Sequence, residues 1–518
     1  LLIILCLSGA ASAAAQNATP APDLSGARVV QDHGWPELQV DGKPFFVFGA
    51  AFDYFGVPRD LWAHSLDRYH ELGINTIDLT IPWNWHETAE GEFDFDGHSN
   101  PRRDLRGLLR LIADRGFKLI VHVGPQMPAT WRLAGYPEWL VRAPDYAMTA
   151  EQLADGEEPP LAAEFHADAD AAAAGWLARE DFLRASHLWF SALGRELAPY
   201  DSDKKISIDS PDTWGNSTTH EVSGPLLFVV VGNGEGDNAD DVSGERAGIA
   251  SNSARYFSAL CGQIAGSGVD APCFAEPGNS RELGLGSAAS GEEPGAEKSS
   301  AAGIVGQWIF SAPALRADSA APADEMLGAQ DAETLARLAD TLEQQSNVPA
   351  VITAFHAGGY AAPNEVSPAR VSASATMVGT RLLIGRGIGG IVYAPFEDSL
   401  TPAGYETPGS NRYLNRDVAI DMEGEPRTQA AAIERNGRVV KAWGERLASA
   451  HLRADLGVVD IREEIPSAAV DSVAASETTS ATDQQSPMRE QTRRALMQAL
   501  RVAELAGRTP EVVDPATQ

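Results

Sequence analysis

Short apolar runs alternate with amphipathic segments from about residue 28 to residue 453. The runs Phe46–Tyr54, Ile74–Ile81, Phe117–Gly124, Leu226–Asn233, Ala271–Ala275, Gly303–Phe310, Ala350–Phe355 and Gly390–Phe396 have the length and β-branched character of buried strands. Helical spacing follows most of them, at Asp60–Leu72, Asp104–Arg115, Ser253–Ala265, Ala332–Gln345 and Ser367–Leu383. Strands that alternate with helices pair in parallel, and eight such repeats suit a closed (β/α)8 TIM barrel of the α/β class. An open doubly wound sheet is the rival. It would want a glycine-rich phosphate turn after the first strand, where this chain has Ala51-Phe52-Asp53-Tyr54.

Two stretches interrupt the pattern. Ala150–Gly175 is rich in Ala, Asp and Glu, and Arg281–Gly303 in Gly, Ser and Glu, so both read as surface insertions. Beyond Trp443 the pattern changes: a strand at 454–459, an amphipathic helix Met488–Ala506 and a strand at 509–514 read as the beginning of a second α/β module over 454–518. Such a unit is too small to stand alone, so truncation is expected, and oligomerisation through this module is possible.

The chain opens with the apolar run Leu1 to Leu7 and the small-residue stretch Ser8 to Ala15, with Ala11-Ser12-Ala13 as a cleavage pattern. Residues 1–15 therefore read as part of a signal peptide, too short for a membrane span, and place the protein in a secreted or periplasmic setting. Of the 3 cysteines, Cys6 lies in that leader; Cys261 and Cys273 can pair in an oxidising compartment or remain two buried thiols.

Composition removes several classes of function. The 518 residues are 44% hydrophobic with 11 Trp, which excludes global disorder. Net charge is −32, from 40 basic and 72 acidic side chains, and such a surface repels nucleic acid and anionic membranes. Neither metal-ligand spacing nor a nucleotide loop appears, so no cofactor is expected.

Barrel enzymes carry their chemistry at the C-terminal ends of the strands. Strand one ends Gly49-Ala50-Ala51-Phe52-Asp53-Tyr54-Phe55, strand two ends Pro82-Trp83-Asn84-Trp85-His86-Glu87, and strand three ends Gly124-Pro125 with Trp131 and Trp139 close behind. Later come Gly224-Pro225-Leu226-Leu227, Phe355-His356-Ala357-Gly358-Gly359, Tyr393-Ala394-Pro395-Phe396, and Tyr413 with Asp417-Val418-Ala419. This collinear set, from about Val40 to Leu456, resembles glycoside hydrolase family 35, the β-galactosidase family of retaining barrel enzymes.

Flat faces on Trp83, Trp85 and Trp131 suit the C–H face of a pyranose, and Tyr54, Asn84, His86 and Glu87 can bond hydroxyls. The plainer reading is rim packing, with His86 capping a loop. In a retaining glycosidase two carboxyl groups act about 5–5.5 Å apart. The resemblance places them at the ends of strands four and seven, the first after an Asn. Asn233 fits as a sugar contact, but Gly234 stands at the acid/base position, and Ala354 at the nucleophile position. Glu235 lies one residue late and is the candidate for a displaced acid. Thr130, Gln126 and Val230 replace further polar residues of the pattern. Glu397, Asp398 and Glu406 follow strand eight and offer carboxylates from another direction, with loop solvation as the plainer reading. Three functions stay open: a glycoside hydrolase with rewired carboxylates acting on β-galactosides, a non-catalytic carbohydrate-binding barrel, and a structural pseudoenzyme.

Overall fold

The computed structural model describes residues 25–127, 131–143, 148–149, 152–153, 175–211, 217–232, 251–275, 349–355, 372–406, 413–416 and 418–451. It also describes the backbone runs 303–304, 306–308, 456–459 and 510–513, and a few isolated residues.

The barrel strands are β1 (Val47–Ala51), β2 (Thr76–Thr80), β3 (Lys118–His122), β4 (Leu226–Val231), β5 (Cys273–Ala275), β6 (Gly303–Ile304 and Gly306–Trp308), β7 (Val351–Phe355) and β8 (Gly390–Tyr393). Every neighbouring pair is parallel. The first half of β6 pairs with β5 and its second half with β7, so the two ends of the sheet are one extended run and the sheet closes on itself. All eight predicted strands lie in this barrel, which is a (β/α)8 fold and not an open sheet. β4 is the plainest case: Leu226 to Val231 are all buried, as a parallel strand covered on both faces requires.

Helices α1 (Trp62–Glu71), α2 (Leu105–Asp114), α3 (Glu180–Leu197), α4 (Ser251–Gly266), α5 (Ala373–Gly385) and α6 (Thr428–Ala448) follow β1, β2, β3, β4, β7 and β8. In α2 the buried Leu105, Leu108, Leu109 and Ile112 form one stripe at helical spacing. Asp104 caps it by accepting from Gly107 N at 2.8 Å, while Arg59 binds the same carboxylate at 2.8 Å. Of the helix expected at 332–345, only Leu335 and Ala339 are described, both helical and fully buried. The Met488–Ala506 helix lies outside the described residues, whereas the strands at Leu456–Val459 and Pro510–Val513 pair in parallel.

Strand alternation divides the barrel residues into two sets. Phe48, Ile77, Leu79, Leu119, Val121, Val229, Ile352, Ile391 and Tyr393 face the helices. Val47, Ile120, Phe228, Val230, Phe274, Val351 and Val392 fill the interior. The interior is closed at its lower end by Leu38 and Val40 from a three-stranded antiparallel meander, Ala27–Asp32, Trp35–Val40 and Lys43–Pro44. Cys261 of α4 and Cys273 of β5 form a disulfide with Cα atoms 5.7 Å apart, which decides between the two readings of that pair. No helix among the described residues is long and apolar enough to cross a membrane.

Candidate active site

The interior set runs upward through Thr76, Asp78 and Thr80 on β2, through Ile120 and His122 on β3, and through Gly49, Ala51 and Asp53 at the end of β1. Asp78 and His122 pair at 3.0 Å between Nε2 and Oδ2, and both are buried. One layer higher, solvent reaches the C-terminal strand ends at Ala51, Asp53, Thr80, Ala354 and Ala394. These belong to four adjacent strands, in the order β7, β8, β1, β2, so they form one arc. Three of the five are alanines, so the side chains that floor the arc are short.

Ala354 enters this arc through an irregularity in the pairing. Ile352 pairs with Ile391 and Phe355 with Tyr393, so Thr353 and Ala354 together oppose Val392 alone. A two-against-one bulge re-aims a side chain. Ala354 is partly exposed, while the other four residues of β7 are buried.

The sequence-predicted sugar contacts lie beside the arc in a dense aromatic cluster. Pro82 leaves β2 and starts a single helical turn, Trp83–His86. Tyr54, Trp83, Asn84, Trp85, His86, Glu87 and Trp131 are all buried. Their polar groups meet one another or the backbone. His86 Nδ1 faces the Asp94 carbonyl at 2.7 Å and must donate to it, so Nε2 accepts from Tyr54 Oη at 2.6 Å. Burial pushes His86 down to about 4, despite the Asp94 carbonyl, and keeps it neutral. Trp131 donates to Asn84 Oδ1 at 2.7 Å, and Asn84 donates to the Arg132 carbonyl at 2.9 Å. Glu87 accepts from Trp83 Nε1 and from Gly91 N, and burial raises its pKa. Trp85 lies under the Arg103 guanidinium, 4.7 Å from its centroid. In this arrangement the side chains build and hold the rim. Asn233, Gly234, Glu235 and Thr130 lie outside the described residues, while Gln126 and Val230 are buried.

After β8, Asp398 is held by Arg427 through two contacts of 2.8 and 2.6 Å. Glu397 is buried against α1, accepting from Ser65 Oγ at 2.6 Å. Burial, with smaller contributions from its neighbours, pushes it up to about 8. Glu406 binds Gly404 N at 2.7 Å in an exposed turn. Among the described residues, two acidic groups could hold a cation by spacing: Asp94, Asp96 and His98, and Asp201, Asp203 and Asp270. Both are already served by the protein's own donors, the first by the Gly97 and Ser99 amides and the second by Lys204.

The missed residue is Asp53. It is partly exposed at the end of β1, and burial, ahead of the lowering Asn415 hydrogen bond and the raising Asp78 charge, pushes it up to about 6. Its position in strand alternation was the available signal: residues 47, 49, 51 and 53 share one face.

Residues 37–153 match the model for glycosyl hydrolases family 35. This span is of the family 35 type. It is 39% identical over 122 residues to an exo-beta-D-glucosaminidase of Thermococcus kodakarensis, covering 24% of this chain and 15% of that protein. It is 34% identical over 115 residues to human beta-galactosidase-1-like protein 2, covering 22% and 17% respectively. A longer match reaches a beta-galactosidase of Xanthomonas manihotis, with 25% identity over 259 residues, 50% of this chain and 33% of that one. In all three, the chain spans a third or less of the relative's length. Among solved structures, an exo-beta-1,4-mannosidase from an Opitutaceae bacterium superposes with TM-score 0.53 and 15% identity, over 94% of this chain and 72% of that one. The beta-galactosidase from Rahnella sp. R3 does so with TM-score 0.54 and 10% identity, over 91% and 65%. At these identities the structural matches speak for the fold alone, a (β/α)8 barrel.

Proposed function

We infer that the barrel is a family 35-type glycoside hydrolase that takes a β-linked sugar, a β-galactoside by resemblance, at the arc formed by Ala51, Asp53, Thr80, Ala354 and Ala394. The family match over the first three strands and the partly exposed, alanine-floored arc support this reading. The observation that carries it is the partly exposed Ala354 at the end of β7. The resemblance places the nucleophile there, and an alanine can accept a sugar but cannot form the covalent intermediate. Ordinary double displacement is therefore disabled in the wild-type chain, and turnover by that route is weak or absent. The aromatic rim holds the mouth's shape, and Tyr54, Trp83, Asn84, His86, Glu87, Trp131 and Asn233 stay in this proposal as the sugar contacts that the resemblance implies.

The experiment is calorimetry with galactose and lactose, alongside hydrolysis by the wild type, Ala354→Glu, Gly234→Glu and the double variant. Binding by the wild type together with a gain of turnover in the double variant supports the reading. Binding without any gain in the variants favours the non-catalytic carbohydrate-binding barrel. No binding of any β-glycoside refutes the reading. An exported, oxidising setting is part of the same proposal, supported by the disulfide and the leader-like residues 1–15. Association through residues 454–518 is a further part, checked by light scattering with and without that segment.

A further inference from the structure

The following rests on the reading that the mouth takes a β-glycoside. We propose that Asp53 is the proton-donating acid of that mouth, placed at the end of β1 and not on β4. Among the described C-terminal strand ends it is the ionisable residue that is not fully buried; its companions in the arc are three alanines and a threonine.

Its backbone is fixed on both sides, and its carboxyl is held by Asn415. Phe52 N donates to the Asp78 carbonyl at 2.9 Å and Gly56 N to the Asp53 carbonyl at 2.8 Å, which fixes the backbone on either side of the turn. Asn415 Nδ2 donates to Asp53 Oδ2 and also reaches Ser399 Oγ at 3.0 Å; Asn415 and Ser399 are both buried. A Cβ at Gly56 would meet Ser399 Cβ at 2.7 Å, so this turn is packed tightly against the Ser399 segment. The charged or titratable groups around Asp53 are Asp78 on β2, itself paired with His122 on β3, Glu397 from the segment after β8, and the phenols of Tyr54 and Tyr69. Of these the Asp78 carboxylate is the like charge that favours a proton on Asp53, while Glu397 is itself protonated near pH 6. A value of about 6 matches a group that is an acid in mildly acidic solution and recovers its proton readily.

In the step, the bond from C1 to the glycosidic oxygen breaks with its electron pair going to that oxygen, which takes the Asp53 proton. A water oxygen forms the new bond to C1, and the proton it sheds passes to solvent, from which Asp53 is recharged. The products are two hydroxyl-bearing sugars or one sugar and an alcohol, and no oxidant or reductant is involved. This route needs no carboxylate at Ala354, where a water molecule can stand instead.

The test compares leaving groups. Asp53→Asn should lower hydrolysis of lactose, whose departing sugar oxygen needs a proton, by about 10²–10⁴-fold, and change hydrolysis of dinitrophenyl β-galactoside by only a few-fold. Wild-type hydrolysis of lactose should fall as pH rises through about 6, because the protonated carboxyl is the active form. Asn415→Ala removes a donor that lowers the Asp53 pKa, so it should move this limb to higher pH. Equal losses on both substrates in Asp53→Asn, no loss on either, a limb that Asn415→Ala leaves in place, or a wild type inactive on both substrates would overturn the assignment. Calorimetry with galactose on the same preparations keeps the two readings apart. Sugar that binds while the leaving-group contrast is missing sinks the Asp53 role alone, and absent binding sinks the mouth as a sugar site.

Discussion

Glu397 is expected to be a neutral acid inside the folded protein, and replacing it with glutamine should stabilise the chain above pH 5. The side chain is 3% exposed, between β8 and α1. Tyr69 Oη lies 3.1 Å from the Ala51 carbonyl and 3.2 Å from Glu397 Oε2. One hydroxyl hydrogen cannot serve both acceptors fully. A proton on Glu397 Oε2 resolves this, because Glu397 then donates to Tyr69 Oη while Tyr69 donates to Ala51. Burial, opposed by Ser65 and Tyr69 and reinforced by Asp398 and Asp53, raises the folded pKa from 4.5 to about 8. The folded state therefore holds this proton more tightly than the unfolded state does. Below pH 4.5 both states are protonated and the group costs nothing. Between 4.5 and about 8 the unfolded chain gains by ionising, and stability falls by about 1.4 kcal/mol per pH unit. The accumulated cost is roughly 3 kcal/mol at pH 7 and levels off near 5 kcal/mol above pH 8. In Glu397→Gln the amide oxygen keeps the Ser65 bond and the NH2 replaces the acid proton toward Tyr69. Urea denaturation followed by Trp fluorescence at pH 5, 6, 7 and 8 should show the variant gaining from near zero to about 3 kcal/mol at pH 7. A difference that is flat with pH, or a variant less stable than the wild type at pH 8, would refute the neutral-acid reading.

Three further outcomes follow from packing and covalent structure. Replacing Cys261 and Cys273 with serine opens a crosslink with a sequence separation of 12 and should cost about 3 kcal/mol, with thermal unfolding of the wild type falling likewise under reductant. Gly390→Ala puts a Cβ 2.6 Å from Val47 Cβ and 3.1 Å from Val351 Cγ2 inside the barrel, so a loss of about 1–3 kcal/mol in chemical denaturation is expected. Arg427→Met leaves Asp398 buried without its two guanidinium bonds and the Val418 carbonyl without its 3.2 Å donor; with Arg427 itself a third exposed, a destabilisation of about 2 kcal/mol should appear, and Asp398→Asn in the same background should recover part of it.

The barrel was legible because its strands are short apolar runs buried on both faces, and periodicity records burial directly. Two of its helices were not read, for different reasons. In α3 the buried Phe182, Ala185, Ser186, Trp189, Phe190, Leu193 and Leu197 do follow helical spacing, but the acidic, alanine-rich stretch before them hid where the helix starts. In α6 the buried face includes Gln429, Asn436 and Gly437, so apolar periodicity understates it. Gly437 is there because a Cβ would meet the Leu72 carbonyl at 2.6 Å, a close approach of α6 to the α1 end that no local pattern announces. The hairpin Lys205–Pro211 and Ser217–Ser223, and the meander over residues 27–44, were missed because their polar strands lack the run length of the barrel set. At the site, motif resemblance drew attention to Trp83, Asn84, His86 and Trp131, whose side chains build the buried rim. Asp53 was harder to single out, because its distinction arises from alternation along β1 and from Asn415, 362 residues away.

The most direct measurement is calorimetric titration of galactose and of an aryl β-galactoside into the wild type and into Ala354→Trp. The indole would fill the arc between Ala394, Ala51 and Thr80 while leaving the buried rim untouched. Binding in the wild type that Ala354→Trp abolishes, with the fold intact by circular dichroism, is the predicted result. Binding that survives the tryptophan, or no heat with either sugar in the wild type, would contradict a sugar site at the mouth of this barrel.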